Sequence, residues 1–249
     1  MVYAVISDIH ANSEALRAVL AEIDRRSVDA VLCAGDLVGY NADPDSCVEV
    51  VLSRAAATVR GNHDRAVAGL MDLDWFNTAA REAALWARGA VTPRTLERLS
   101  RLPRGPVSVG KDVILCHGSP SDEDEYLLPG TALGDAFRYL EDHAPAARLC
   151  FHGHTHLPLA VCRSRRDRSS RMLGLGQPIE IEPETLYLLN PGSVGQPRDG
   201  NTRASFGILD TGRGTFTIIR VAYAFRETQR KILEAGLPSS LARRLGEGR

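Results

Sequence analysis

Five short clusters of donor and acid–base side chains follow one another along the chain: Asp8-x-His10, Gly35-Asp36, Gly61-Asn62-His63-Asp64, His117-Gly118 and Gly153-His154-x-His156. Each offers carboxylate, amide or imidazole groups, and each stands where an apolar run ends, the place where an α/β sheet presents its catalytic loops. The chemistry open to such a set is that of paired divalent cations. Hydrolysing a phosphate ester needs a nucleophile near neutral pH, neutralisation of charge on the phosphoryl oxygens and a proton for the leaving alkoxide. Two cations about 3.5–4 Å apart supply the first two needs, and an unligated acid beside them supplies the third.

The residue types fit those roles. Asp8 and His10, two apart on a strand-to-helix turn, can reach one ion because an irregular loop lets alternate residues point the same way. Asp36, capping the neighbouring strand, is the natural bridge between two ions. Asn62 offers an amide oxygen, a neutral ligand that limits the accumulation of negative charge, while His117 and the pair His154 and His156 close the shells from the other side. The absence of thiolate disfavours Cu(I) or iron–sulfur binding and suits Mn²⁺, Fe²⁺, Zn²⁺, Ni²⁺ or Co²⁺. Donor type does not separate these; two divalent transition-metal ions are expected, with Mn²⁺ placed first.

The elements that must position these groups are legible in the apolar spacing. Val2 to Ser7 is a short apolar run ending at Asp8, and Leu16, Val19, Leu20 and Ile23 fall at helical spacing between Asn12 and Arg26. A second unit follows, with a strand over Asp29–Ala34 and a helix over Asp45–Arg54, and a third strand is predicted over Ala57–Arg60. Phe76, Ala80, Ala83, Leu85 and Trp86 predict a helix, and Thr92-Pro93 opens another, since Thr as N-cap and Pro at the first helical position start helices well. After Pro103 the pattern becomes strand-rich: Val107–Val109, Asp112–Cys116, Ala147–Phe151, Leu157–Cys162, Leu186–Leu189, Ser205–Leu209 and Thr215–Val221. One or two surface helices are predicted over about Phe225 to Leu245, broken at Gly236-Leu237-Pro238. Alternating strands and helices followed by many strands predict an α/β fold of four layers (αββα), two mixed sheets packed face to face with helices outside. The 249 residues are read as a single domain, 1–249, with a helical insertion at about 74–103.

Composition narrows the partners. Thirty basic against thirty-one acidic side chains leave a formal charge of −1, so no global field recruits nucleic acid or an anionic membrane. The five cysteines are odd in number, form no C-x-x-C pair and lie mostly in apolar runs, as reduced core thiols do. With no signal-like N-terminal segment and no apolar run of about 18 residues, a soluble, cytoplasmic protein is expected.

The ordered set resembles the calcineurin-like metallophosphoesterases, whose pattern is D-x-H, G-D, G-N-H-[DE], an isolated histidine and G-H-x-H; every element is present from Asp8 to His156 without a substituted ligand. The resemblance implies that Asp8, His10, Asp36 and His156 hold one metal and that Asp36, Asn62, His117 and His154 hold the other. It also implies that His63 protonates the leaving group after a metal-bridging hydroxide attacks phosphorus, with Asp64 orienting the imidazole. A histidine beside two cations can donate a proton if something fixes its tautomer. The loop Asn190–Gly200 resembles the N-P-G-S loop of the bacterial and archaeal phosphodiesterase-like branch, which lies near the metals, as do the strings Gly35–Tyr40 and His117–Pro120.

Within that loop Arg198 is a candidate phosphate clamp, the alternative being a tether to Asp199 or another carboxylate. Asn12 either contacts substrate or caps the first helix. His143 is read as a surface residue, and His152 as lying beside the site or merely buried. If His117 faces metal, Cys116 faces core, because neighbours on a strand point to opposite faces. Arg163–Gly176 is a basic loop tip, with anion contact as the other reading, and the acidic run Asp122–Glu125 would repel a long polyanion if it lines the cleft. A small phosphorylated substrate, a mono- or diester, is therefore expected, with no membrane and no nucleic-acid partner; oligomeric state is open. A phosphoprotein phosphatase or dinucleoside-polyphosphate hydrolase is the runner-up, and an inactive interaction scaffold the non-enzymatic alternative.

Overall fold

The computed structural model describes residues 1–130 and 133–249. The predicted alternation opens the chain: β1 (Val2–Ile6), α1 (Ser13–Asp24), β2 (Ala30–Cys33), α2 (Pro44–Arg54) and β3 (Ala55–Thr58), with the three strands parallel. Helix α1 buries Leu16, Val19, Leu20 and Ile23, the stripe its spacing predicts. Three helices follow, α3 (Asn62–Ala68), α4 (Thr78–Ala90) and α5 (Pro93–Ser100), and Thr92 Oγ1 accepts from the Thr95 amide at 3.3 Å as the predicted cap. The rest of the chain runs β4 (Val107–Val109), β5 (Val113–Leu115), α6 (Leu133–His143), β6 (Leu149–Phe151), β7 (Leu159–Ser164), β8 (Ser170–Met172), β9 (Ile179–Glu180), β10 (Thr185–Asn190), β11 (Ala204–Asp210), β12 (Thr215–Val221), α7 (Phe225–Glu234) and α8 (Ser239–Glu247).

Two six-stranded mixed sheets result, ordered β3-β2-β1-β11-β12-β9 and β4-β5-β6-β10-β7-β8. Alternation along each strand assigns its side chains to two layers. Val5, Leu32, Leu209 and Phe216 of the first sheet meet Leu115, Phe151, Tyr187 and Leu189 of the second in a core between the sheets, with the Phe151 and Phe216 ring centroids 5.4 Å apart. The opposite neighbours Ala4, Ile6, Val31 and Cys33 pack outward with Leu16, Val19, Val48 and Val51 of α1 and α2. Ile114, Cys116, Cys150, Leu186 and Leu188 pack outward with Ala136, Phe137 and Leu140 of α6. The order is thus helix, sheet, sheet, helix, the four-layer architecture expected from the pattern.

Several local expectations are corrected. The third strand lies two residues earlier than its apolar run suggests; Val59 still donates to the Cys33 carbonyl (3.1 Å), but the Arg60 amide turns to Pro103 O (2.9 Å). Strand β7 begins at Leu159, beyond Pro158, which lacks an amide to donate. The basic stretch after Arg163 is in part a hairpin, β7 pairing β8, and four of its five arginines are engaged: Arg168 with Glu141 (3.2 Å), Arg171 with Glu182 (3.7 Å), Arg165 with the Ala147 carbonyl (2.8 Å), and Arg163 over the Phe137 ring. The C-terminal helices are more than a surface appendage, since Ile232, Leu237, Leu241, Ala242 and Leu245 pack with Tyr40, Ala80 and Ala83. All five cysteines are free and buried. Among the described residues no helix is long and apolar enough to cross a membrane.

Candidate metal centre

Every expected ligand lies just past the carboxyl end of a parallel strand. Asp8 and His10 follow β1, Asp36 follows β2, Asn62 follows β3, His117 follows β5, and His154 and His156 follow β6. In open α/β sheets this edge is where ligands bind, and here both sheets turn it toward the same point. The loops bend sharply to aim their donors: Asp8, His10, Asp36, His154 and His156 all have positive φ, between 48° and 67°. A left-handed backbone costs a non-glycine residue about 1–2 kcal/mol, so five together mark a conformation held by its surroundings and serving a purpose.

The donors form two groups that share one carboxylate. Asp8, His10, Asp36 and His156 converge in one, and Asp36, His117 and His154 in the other. Asp36 Oδ2 lies 3.5 Å from His10 Nε2 and 3.4 Å from His117 Nε2, between the groups, where a bridging oxygen belongs. His156 Nε2 stands 3.6 Å from Asp8 Oδ1 and 3.0 Å from His10 Nε2. Asn62 Oδ1 is 3.2 Å from His117 Nε2, which adds it to the second group. Donors held about 2.1 Å from one ion stand about 3.0–3.4 Å apart, so the spacing is that of coordination shells.

The hydrogen bonds behind the rings test that reading. His10 Nδ1 donates to the Val38 carbonyl (3.0 Å), His156 Nδ1 to Gln196 (2.6 Å) and His117 Nδ1 to Ala34 (2.7 Å). Each bond fixes the Nδ1–H tautomer and points an Nε2 lone pair inward, the usual arrangement behind metal-ligating histidines. His154 donates instead from Nε2 to the Asp124 carbonyl (3.0 Å), leaving Nδ1 to ligate. The facing Nε2 atoms of His10 and His156 are then two acceptors with no proton between them, and Asp8 Oδ2 is buried without a partner. Cations would satisfy all of these atoms at once. Burial holds His10 and His156 well below the usual imidazole range, so both are neutral and ready to ligate. Burial also pushes Asp8 up to about 7, whereas at His117 burial, the largest single influence, is overcome by Asp36, Asp8 and the Ala34 hydrogen bond acting together, which raise the ring to about 10, so that without a metal its Nε2 also carries a proton.

Glycine at 61 is required by space: a Cβ there would come 2.1 Å from Asp36 Oδ1. At Gly39, with φ of +93°, a Cβ would meet His63 Nδ1 at 2.4 Å. His63 is buried with its ring between Tyr40 (4.4 Å), His10 (4.8 Å) and Phe76 (4.8 Å), and its Nδ1 has no hydrogen-bond partner. The expected orienting contact from Asp64 is therefore absent. Asp64 accepts from the amides of Leu37 (2.8 Å), Val38 (3.3 Å) and Gly61 (2.9 Å), capping α3 from its third position and pinning the Asp36 loop. It supports the ligand loops and makes no hydrogen bond or ion pair with His63.

Asn12 resolves to a cap. Its Oδ1 accepts from Ala15 N (3.1 Å) and Thr228 Oγ1 (3.1 Å), and its Nδ2 donates to Gly195 O (2.9 Å) and Tyr223 Oη (3.3 Å). All four positions of the amide are used, and none is left for a substrate. Arg198 makes no ion pair among the described residues; Asp199 pairs with Arg220 instead. The guanidinium is held by Tyr40 Oη (3.2 Å) and Gln196 Oε1 (3.2 Å), so its tether is neutral. The rest of its loop braces the site: Ser193 Oγ donates to Asp8 O (2.8 Å) and Asn190 Nδ2 to Gly153 O (2.8 Å). His152 is fully buried against Asn190, outside both donor groups, and His143 is exposed at the end of α6. Cys116 faces the outer core, its Sγ 3.7 Å from Cys150 Sγ.

A cleft of about 650 Å³ opens over the donors, with Asp36, Asn62, His63, His154, His156 and Arg198 in its wall. Asp122 and Asp124 also reach it, but Glu123 and Asp124 are paired with Arg65, and Glu123 further with Arg60. Two of the four acids of the run are thus paired with arginines, while Asp122, at the cleft, has no ion pair among the described residues. Tyr40, Trp75, Phe76, Tyr126 and Arg244 also line the wall; sequence reasoning missed them, because only tertiary packing brings their segments to the strand ends. Tyr40 alone had a local signal, standing in the Gly35–Tyr40 string.

Two groups of donors that could hold metal ions, sharing one carboxylate at the strand ends of a four-layer sandwich, narrow the class of protein, and comparison with known proteins gives the family. A model of the calcineurin-like phosphoesterase superfamily domain matches residues 1–214. An uncharacterised protein of Methanocaldococcus jannaschii is 38% identical over 250 residues, covering 99% of this chain and 98% of that one. The crystal structure of a metallophosphoesterase from Sphaerobacter thermophilus is 37% identical with a TM-score of 0.81, covering 100% of this chain and 99% of the other. A hypothetical protein from Pyrococcus horikoshii shares the fold at 18% identity, with a TM-score of 0.79 and coverage of 100% and 98%. The chain belongs to the calcineurin-like phosphoesterase superfamily.

Proposed function

We propose that the protein is a metal-dependent phosphoesterase acting on a small phosphate mono- or diester, with His63 as proton donor and Arg198 as phosphate clamp. The observation that carries this reading is the pair of donor groups sharing Asp36 Oδ2 on the floor of a cleft that also holds His63 and Arg198. Two divalent cations, Mn²⁺ first and Fe²⁺, Zn²⁺, Ni²⁺ or Co²⁺ by the same donor logic, would supply an acidified water and neutralise phosphoryl charge. The chain's own groups do the rest. Arg198, tethered only to neutral oxygens, keeps its charge for two phosphoryl oxygens in a planar fork. His63 Nδ1 is closed off under Gly39, so Nε2 is the nitrogen that can meet a leaving oxygen. Burial pulls the free ring down to about 4, and the negative charge of a bound ester acts in the opposite direction.

The cleft volume suits a small molecule better than a folded phosphoprotein. One observation favours a second reading: Arg244 of α8 lines the same cleft with no ion pair among the described residues, and a further phosphate, as in a dinucleoside polyphosphate, would engage it. An inactive scaffold is disfavoured because the ligands and His63 are all in place. Free buried thiols support a cytoplasmic location. The test is hydrolysis of nitrophenyl phosphate and bis(nitrophenyl) phosphate over a panel of metals. Metal-dependent turnover is expected, with His63→Asn lowering kcat by about 10²–10³ at unchanged metal content; equal inactivity of both proteins would favour the scaffold.

A further inference from the structure

Trp75 is 91% exposed, and nothing in the fold accounts for an indole standing in water. It belongs to the turn between α3 and α4, where Leu73 is the buried anchor while Met71, Trp75 and Phe76 line the cleft. Phe76 places this turn relative to the chemistry, because its ring centroid is 4.8 Å from that of His63. A proton donor must meet the leaving oxygen, so whatever that oxygen carries departs past Phe76 and Trp75. The polar group beside them is Asn77, whose Oδ1 is committed to the Ala80 amide at 3.0 Å while its NH₂ makes no hydrogen bond among the described residues. An apolar, aromatic wall with one free amide donor is a surface for a planar heteroaromatic ring, since every base offers a π-face to an aromatic side chain.

Resting on the phosphoesterase reading above, we propose that the Met71–Asn77 turn is a stacking platform for a planar aromatic ring carried by the leaving group of the substrate. The donor groups and Arg198 engage the phosphoryl end, and Trp75 and Phe76 take the ring. The ring can be a nucleobase or a plain aryl group. Asn77 separates the two, because only a base carries an acceptor for its NH₂.

The experiment measures binding, which does not depend on turnover. Zn²⁺-loaded protein is titrated calorimetrically with adenosine 5′-monophosphate, phenyl phosphate and ribose 5-phosphate, in the native chain and in Trp75→Ala and Trp75→Phe. The indole touches water on nearly all sides, so neither substitution disturbs the core. Adenosine monophosphate is expected to bind about ten-fold or more tightly than ribose 5-phosphate. That preference should fall to about one in Trp75→Ala and largely return in Trp75→Phe. Fluorescence of a Trp86→Phe chain, in which Trp75 is the only indole of the two, should be quenched by the nucleotide and not by the sugar phosphate. Phenyl phosphate binding as tightly as the nucleotide assigns the site to aryl rings generally; weaker binding assigns it to nucleobases. Equal affinity for ringed and ringless phosphates in the native chain overturns the platform and leaves the phosphoesterase reading standing. Binding of none of the three overturns both.

Discussion

Arg198 carries its full charge into the cleft because the groups that hold it are neutral. Tyr40 Oη and Gln196 Oε1 fix the guanidinium without spending its cation on a carboxylate, Asp199 having gone to Arg220. Arg198→Ala is expected to raise KM about ten-fold or more with metal content unchanged, and Arg198→Lys to recover only part of the loss, since an ammonium lacks the planar fork. A KM equal to that of the native chain would remove the clamp. Proton bookkeeping at the ligands gives a second expectation. In the metal-free protein burial pushes Asp8 up to about 7, and at His117 burial is overcome by Asp36, Asp8 and the Ala34 hydrogen bond together, which raise the ring to about 10. At neutral pH His117 holds a proton and Asp8 is in part protonated, and ligation must displace both. Lowering the pH therefore favours the protonated ligands and weakens metal binding, by roughly tenfold per pH unit for each proton released. Titration with Mn²⁺ between about pH 6 and pH 8, in buffers of different protonation enthalpy, reads affinity and released protons together; affinity independent of pH would contradict the ligand assignment. At this scale the ligand types were legible, because an ordered set of Asp, Asn and His has few other uses. Asp64 was misread: besides the local Gly61 amide, its partners are the Leu37 and Val38 amides, 27 and 26 residues away, and no side-chain pattern announces those.

Elements explain why Asn12 looked like a substrate contact. Its place at the end of the β1 loop is beside the site, but its amide closes α1 and ties it to the loop at Gly195 and to Thr228 of α7. Asn12→Ala is expected to destabilise the fold by about 1–2 kcal/mol through the lost cap, lowering the melting temperature while KM stays that of the native chain. A raised KM with unchanged stability would restore the substrate role. The β1-α1-β2-α2 run was legible because its helix stripe and buried strands are continuous. Helix α6 was not, since only Ala136, Phe137 and Leu140 are buried along it, too sparse a stripe to stand out. The exposed β8 and the two-residue β9 exist only by pairing with β7 and β12, a tertiary fact. The C-terminal helices were placed correctly along the chain and wrongly in space, because no local signal says that α8 packs beside Tyr40 and turns Arg244 into the cleft.

For the whole molecule, the two sheets matter less as a core than as a vice. Their shared interior fixes the relative position of loops that follow β1, β2 and β3 on one side and β5 and β6 on the other, and so holds the facing acceptors on those loops close together. Strained left-handed backbone at five ligands and facing lone pairs at His10 and His156 are held in place by this packing. Metal binding should then couple directly to global stability, since the unfolded chain has no such cage. Two ions, each at a hundred times its dissociation constant, add about 5 kcal/mol, which for a chain of this size corresponds to a rise of roughly 10–20 °C in melting temperature. Phe216→Ala, emptying the ring that meets Phe151 between the sheets, should cost about 3–5 kcal/mol. If the vice works as a unit, the variant retains a metal-dependent rise but needs more Mn²⁺ to reach it, because the same strain is held by a looser interior. Melting curves with Mn²⁺ and with a chelator, for native and Phe216→Ala chains, decide the matter: a melting temperature that ignores metal would mean the seven donors form no cation cage, whatever their spacing.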